Sequence, residues 1–390
     1  MLFSACAEET QTQQEEKTGQ TEQQEEETIT IADYQEKNHT DCSTPFAEDS
    51  EGYYFYNGDT ERLCYYEKNE NIIVPLCSKT DCDHSGTDCN AYIGGMSSQT
   101  LTLAGDRLYY VAQQGKEAAV FSTAADGTGG VEKAVTLCEV YGDSYGVTDG
   151  IFAKGYLYYV ENEIDTEQDR EYYNLYRIKV ESDAKPELLY QEKDENCNYN
   201  IVCYLKAEGD RIYFSNMVSM EDGYYGQIQR YDTKNGTVEV VFSYEDGNEY
   251  NGRYEVIGDD IYLLKVGGTV ERYNCESKEK SVFYEDETGA ETNCEIEFDG
   301  NYFYLDNCVD GFIKLNQRNR TIDVRNMEGK LVETIALPNN SEEIYCAFDN
   351  GIIYEQLEEG EDGVCDTVYY ADKKQIGTGS VTFEKCQPAQ

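Results

Sequence analysis

Residues Gly105-Asp106-Arg107-Leu108-Tyr109-Tyr110 read as a tight turn running into a short aromatic strand, and versions of this phrase return along the chain. Copies stand at Glu51-Gly52-Tyr53-Tyr54-Phe55-Tyr56, Lys154-Gly155-Tyr156-Leu157-Tyr158-Tyr159, Gly209-Asp210-Arg211-Ile212-Tyr213-Phe214 and Gly258-Asp259-Asp260-Ile261-Tyr262-Leu263. Looser copies follow at Asp299-Gly300-Asn301-Tyr302-Phe303-Tyr304 and Asp349-Asn350-Gly351-Ile352-Ile353-Tyr354. The fifth positions are Phe55, Tyr109, Tyr158, Tyr213, Tyr262, Phe303 and Ile353, separated by 54, 49, 55, 49, 41 and 50 residues. A strand-rich period of about 50 residues is the mark of propeller blades. The expected fold is all-β, a seven-bladed β-propeller of four-stranded antiparallel blades.

A second strand repeats behind the first. Its versions include Arg62-Leu63-Cys64-Tyr65-Tyr66, Ala119-Val120-Phe121-Ser122-Thr123, Asn174-Leu175-Tyr176-Arg177-Ile178, Gln227-Ile228-Gln229-Arg230-Tyr231 and Thr269-Val270-Glu271-Arg272-Tyr273. Polar turns follow, such as Asp126-Gly127, Lys234-Asn235-Gly236 and Glu328-Gly329. Gly and Asn accept the positive φ that tight hairpins demand, so the unit reads as an antiparallel meander.

The 390 residues carry 78 Asp and Glu against 31 Lys and Arg, a formal charge of −47. Such a charge repels phosphate backbones and anionic headgroups, so no nucleic-acid partner is expected. The 36 Tyr, with no Trp, suit half-buried sheet faces where the ring packs and the hydroxyl reaches water. No run of 18 apolar residues is long enough to cross a membrane as a helix. Residues 7–40 are rich in Glu, Gln and Thr and poor in apolar side chains, which predicts a disordered acidic tether. The propeller is assigned to 41–390, with a Cys-rich insert at 75–92.

Phe3-Ser4-Ala5-Cys6 resembles the end of a bacterial lipoprotein signal, in which small residues precede a cysteine that becomes lipidated. Residues 1–6 are then the remnant of that signal, and Cys6 its lipidation site. Leu175-Tyr176-Arg177-Ile178 and the turn from Phe121 to Gly127 are similar to the strand and turn of low-density-lipoprotein-receptor-like propellers. Those receptor propellers have six blades and a Tyr-Trp-Thr-Asp signature, where this chain has seven repeats and no Trp. The stretch Pro75-Leu76-Cys77-Ser78-Lys79-Thr80-Asp81-Cys82-Asp83-His84, closing with Cys89-Asn90-Ala91-Tyr92, resembles a Cys-rich insert after the first blade of surface lipoproteins from gut Clostridia-type bacteria. These resemblances imply an extracytoplasmic protein, lipid-anchored to the outer face of the bacterial cell membrane. They imply no particular activity.

Cys77, Cys82, His84 and Cys89 form a C-x4-C-x-H-x4-C cluster. Three thiolates and an imidazole can close a tetrahedral site, so a structural zinc is one reading. Disulfides are the other, since after Cys6 an even fourteen cysteines remain of the 15. Ring closure brings the first and last blades together, which makes Cys42 and Cys386 a candidate disulfide.

Each catalytic pattern demands residues that its chemistry needs. Gly142-Asp143-Ser144-Tyr145-Gly146 matches a nucleophile elbow, but no helical pattern follows it, and the only histidines are His39 and His84. Sialidase-type boxes need a Trp that the chain lacks. Arg318, Arg320 and Arg325 form a basic cluster that could meet an anion or simply sit in a solvated hairpin. No catalytic set is named. The expected function is a non-enzymatic, monomeric surface platform that binds a protein, peptide or glycan. The alternative is a carbohydrate-active enzyme, a glycoside hydrolase or lyase, with carboxylates at the channel mouth.

Overall fold

The computed structural model describes residues 30–34, 45–140, 146–165, 170–192, 197, 199–220, 223–244, 249–285, 293–307, 321–337, 345–347, 349–360 and 363–388. Seven four-stranded antiparallel blades form a ring. Blade 1 holds the strands Phe46–Glu48, Gly52–Asn57, Arg62–Glu67 and Ile72–Pro75. Blades 2 to 7 open on the inner strands Met96–Ala104, Val147–Ala153, Tyr199–Glu208, Tyr250–Ile257, Asn293–Phe298 and Tyr345–Ala347. Blades 3 and 4 are also joined by a single parallel bridge, Glu171 to Tyr199.

The turns obey the sequence. Gly127, Gly236 and Gly329 take φ of +71°, +72° and +75°. A non-glycine residue would pay about 1–2 kcal/mol for that conformation.

Each second strand alternates its side chains between the two flanking blades, as a pleated strand must. Leu108 and Tyr110 pack toward blade 1, while Tyr109 and Val111 pack toward blade 3. Repeated around the ring, the residues facing the next blade are Tyr54, Tyr109, Tyr158, Tyr213, Tyr262, Tyr304 and Ile353. This corrects the sequence alignment by one residue in two blades, at Phe55 and Phe303. Those two side chains face the preceding blade instead. The turns themselves are alike: Glu48 pairs with Tyr53 and Phe298 with Phe303 at the same separation as Leu103 with Leu108, so the aromatic phrase is placed one residue late in blade 1 and one early in blade 6. In both of these turns an aspartate organises the loop. Asp49 accepts the amides of Glu51 and Gly52 and the Tyr54 hydroxyl, and Asp299 accepts those of Asn301 and Tyr302 and the Tyr304 hydroxyl.

Seven apolar clusters result, one at each junction between blades. Burying a large side chain there is worth roughly 1.5–3 kcal/mol, so the junctions hold the ring together. The last junction closes it. Ile353, Val368 and Cys386 pack with Phe46, Tyr53 and Phe55 of blade 1, and Gln387–Pro388 adds a parallel fifth strand beside Ile72–Pro75. Asp349 and Asn350 of blade 7 donate their amides to the Glu48 carboxylate of blade 1.

One stretch assigned to the tether is ordered. Residues 30–34 form a turn in which Ile31 and Tyr34 pack against the junction of blades 2 and 3, and Lys154 donates its amide to the Tyr34 carbonyl. Two apolar side chains in an otherwise polar segment are enough to dock it.

Candidate metal centre

The insert begins where Pro75 ends the outer strand of blade 1. Leu76, Ala91 and Ile93 are buried in the cluster between blades 1 and 2, so both ends of the insert are held by apolar packing. Backbone bonds reinforce this: Leu63 donates to Ala91, Ile93 to Glu61 and Leu76 to Leu63. Between these anchors most of the chain from Ser78 to Asp88 faces solvent.

Local turns bring the four candidate ligands back together. The Cys82 amide reaches the Lys79 carbonyl, Asp83 accepts the amide and hydroxyl of Ser85, and His84 takes a left-handed φ of +56°. A buried guanidinium, Arg62, donates to the Gly86 carbonyl at 3.2 Å and fixes the return arm. Cys77, Cys82, His84 and Cys89 end with all four ligand atoms within 4.8 Å of one another, and Cys89 Sγ lies 3.5 Å from His84 Nδ1. Among the described residues no other group of this kind occurs.

The insert also reaches across the junction. The Gly127 carbonyl, in the blade 2 turn, accepts from the Ser78 amide at 3.1 Å, the Ser78 hydroxyl at 3.0 Å and Asn90 Nδ2 at 3.1 Å. A side chain at Gly127 would stand 2.9 Å from the backbone at Leu76 and Cys77, so the two backbones touch only because it is glycine.

The remaining described cysteines have a different setting. Cys64, Cys138 and Cys386 are each pushed up to about 12, chiefly by burial, and stay protonated as packing residues. Cys386 lies in the closing cluster of blades 7 and 1. Its candidate partner Cys42 lies outside the described residues, as do Cys6, His39, Ser144, Arg318 and Arg320. Arg325 of blade 6 is engaged: its guanidinium lies over the Tyr284 ring of blade 5 and bonds the Gly329 carbonyl and Asp323 of its own blade.

Sequence reading missed a second polar feature. Lys206, Glu255 and Glu297 are the cross-strand partners of Tyr213, Tyr262 and Tyr304, so they occupy one level of the inner strands in blades 4, 5 and 6. Lys206 Nζ is 2.9 Å from Glu255, Arg253 is 3.4 Å from Glu295, and Glu297 accepts the Ala347 amide of blade 7 at 3.2 Å. Burial holds the Glu297 carboxyl well above the usual range, against the opposing charge of Lys206. Asp149 does similar work in blade 3, accepting the Leu205 amide of blade 4. Correct alignment of the repeats would have put these residues in register.

No family model matches the chain, and no curated protein does. Solved structures share its fold at low identity. One of two prolyl endopeptidases whose inter-domain dynamics were analysed superposes with a TM-score of 0.58 at 12% identity, covering 91% of this chain and 51% of that one. The acylaminoacyl peptidase of Pyrococcus horikoshii gives 0.52 at 12%, covering 85% and 51%. BamB from Moraxella catarrhalis gives 0.42 at 10%, covering 83% of each. The chain thus spans about half the length of the two peptidases.

Proposed function

We propose that this protein is a lipid-anchored surface propeller that serves as a non-enzymatic binding platform for a protein, peptide or glycan outside the cell. The observation that carries the reading is the use made of the inner-strand carboxylates. Glu48, Asp149, Glu255 and Glu297 each bond the neighbouring blade, through backbone amides or through Lys206, so they act as struts of a stiff ring. A closed ring offers a broad face whose ligand is set by loops rather than by the repeated scaffold. The anchor rests on the signal-like Phe3-Ser4-Ala5-Cys6 and on the resemblance of the insert to those of surface lipoproteins.

One observation favours the carbohydrate-active alternative. Burial holds the Glu297 carboxyl well above the usual range while Glu255 and Glu295 stand near it, and a carboxyl of raised pKa beside a second carboxyl is how glycosidases divide acid and base roles. A reducing-end assay over a polysaccharide panel, run beside glycan and peptide arrays, separates the readings. The platform predicts saturable binding without turnover. Turnover that Glu297→Gln abolishes would establish the enzyme and end the platform reading. For the anchor, labelled palmitate should enter the protein expressed with its native signal and fail to enter Cys6→Ala; equal labelling would remove it.

A further inference from the structure

We infer that Cys77, Cys82, His84 and Cys89 bind one zinc ion, and that this ion clamps blade 1 to blade 2. The inference stands apart from the platform reading. Its first support is distance. A tetrahedral zinc with sulfur at about 2.3 Å and nitrogen at about 2.0–2.1 Å spaces its ligands about 3.5–3.8 Å apart. Cys89 Sγ and His84 Nδ1 are 3.5 Å apart, and no pair in the set exceeds 4.8 Å. A disulfide would use two of the three sulfurs, with a bond of about 2.05 Å, and would leave the third sulfur and the imidazole converging on nothing. The metal uses all four.

The second support is the backbone. His84 is held in the left-handed region, which costs about 1–3 kcal/mol and persists only where its surroundings demand it. The Asp83 turn and the Arg62 contact to Gly86 hold the arms on either side in position. Four protein ligands complete the coordination, so the site is structural and leaves no position for substrate. On binding, each of the three thiols releases its proton to solvent as its Zn–S bond forms.

The third support is where the insert lies. Other junctions carry polar links between inner strands: Thr100 donates to the Gly150 carbonyl, Leu205 to Asp149, Lys206 to Glu255, Arg253 to Glu295, Ala347 to Glu297 and Asn350 to Glu48. Between blades 1 and 2 the insert adds a link farther out, the triple contact of Ser78 and Asn90 with the Gly127 carbonyl. Ser78 and Asn90 each adjoin a zinc-binding cysteine, Cys77 and Cys89. The ion therefore fixes the donors that hold the blade 2 turn.

The test uses the full chain purified anaerobically with reductant, desalted and assayed by plasma mass spectrometry, with the turn 124–128 followed by hydrogen exchange. The inference predicts about one zinc per chain in the parent and in Cys138→Ser, and a several-fold loss in Cys82→Ser and His84→Ala. Stripping the parent with dipicolinic acid should speed exchange at 124–128 and leave the blade 4 turn 232–236 unchanged, a readout that survives if a variant fails to fold. Equal zinc in Cys82→Ser and Cys138→Ser would mean an adventitious ion only. Metal-free protein with Cys77, Cys82 or Cys89 in a disulfide would overturn the site, and unchanged exchange at 124–128 on stripping would overturn the clamp.

Discussion

Lys206 Nζ in blade 4 lies 2.9 Å from Glu255 Oε1 in blade 5, with the two side chains only 12% and 9% exposed. Removing one partner of a buried pair leaves an uncompensated charge, at a cost of about 3–5 kcal/mol. Lys206 also opposes the raised pKa of Glu297, so its loss is felt across three blades. Lys206→Met should lower the unfolding free energy measured in urea at pH 7 by that amount, and Lys206→Met with Glu255→Leu should recover most of it. A single-variant loss under about 1 kcal/mol would show that the pair is not a strut.

Gly127→Ala combines two penalties. The φ of +71° disfavours any side chain, and the new Cβ would meet the backbone of Leu76 and Cys77 at 2.9 Å. We expect a loss of roughly 2 kcal/mol or more by chemical denaturation. Gly236→Ala is the control. It has a similar φ of +72° with open space around it, and should lose only the conformational part, about 1–2 kcal/mol. Equal losses would mean that the blade 1 to blade 2 contact contributes nothing.

Glu161 predicts a pH dependence. Burial, helped by the charge of Glu163 and opposed by a hydrogen bond from Cys138, raises its carboxyl from 4.5 to about 7. Between those values the folded protein holds a proton that the unfolded chain has lost, so the stabilisation is full below pH 4.5 and disappears as the pH rises to about 7. Unfolding free energies of the parent and Glu161→Gln, measured from pH 4 to 8, should diverge in favour of the variant over this window. Parallel curves would refute the shift.

The architecture was legible because Leu108-Tyr109-Tyr110 and its relatives alternate with a period of two inside a period near 50, and both periods follow from packing sheet on sheet. The one-residue slips at Phe55 and Phe303 arose because Tyr53-Tyr54-Phe55-Tyr56 and Tyr302-Phe303-Tyr304 are aromatic on both faces, so aromatic content does not fix the register, although Asp49 and Asp299, five residues before Tyr54 and Tyr304, mark it. The metal-ligand set was legible from spacing. Its role was not, since the link from Ser78 and Asn90 to Gly127 spans 49 and 37 residues and depends on which blades are neighbours. Docking of Ile31 and Tyr34 was hidden for a similar reason: composition describes a segment, while a contact depends on two side chains and the groove they meet.

The account turns on what Cys77, Cys82, His84 and Cys89 hold, and X-ray absorption at the zinc edge on the full-length, reduced protein reads that directly. It should return a first shell of three sulfurs at about 2.3 Å and one nitrogen at about 2.0 Å, with the imidazole scattering pattern lost in His84→Ala. A shell of oxygen and nitrogen alone, or a sulfur count unchanged by Cys82→Ser, would contradict it.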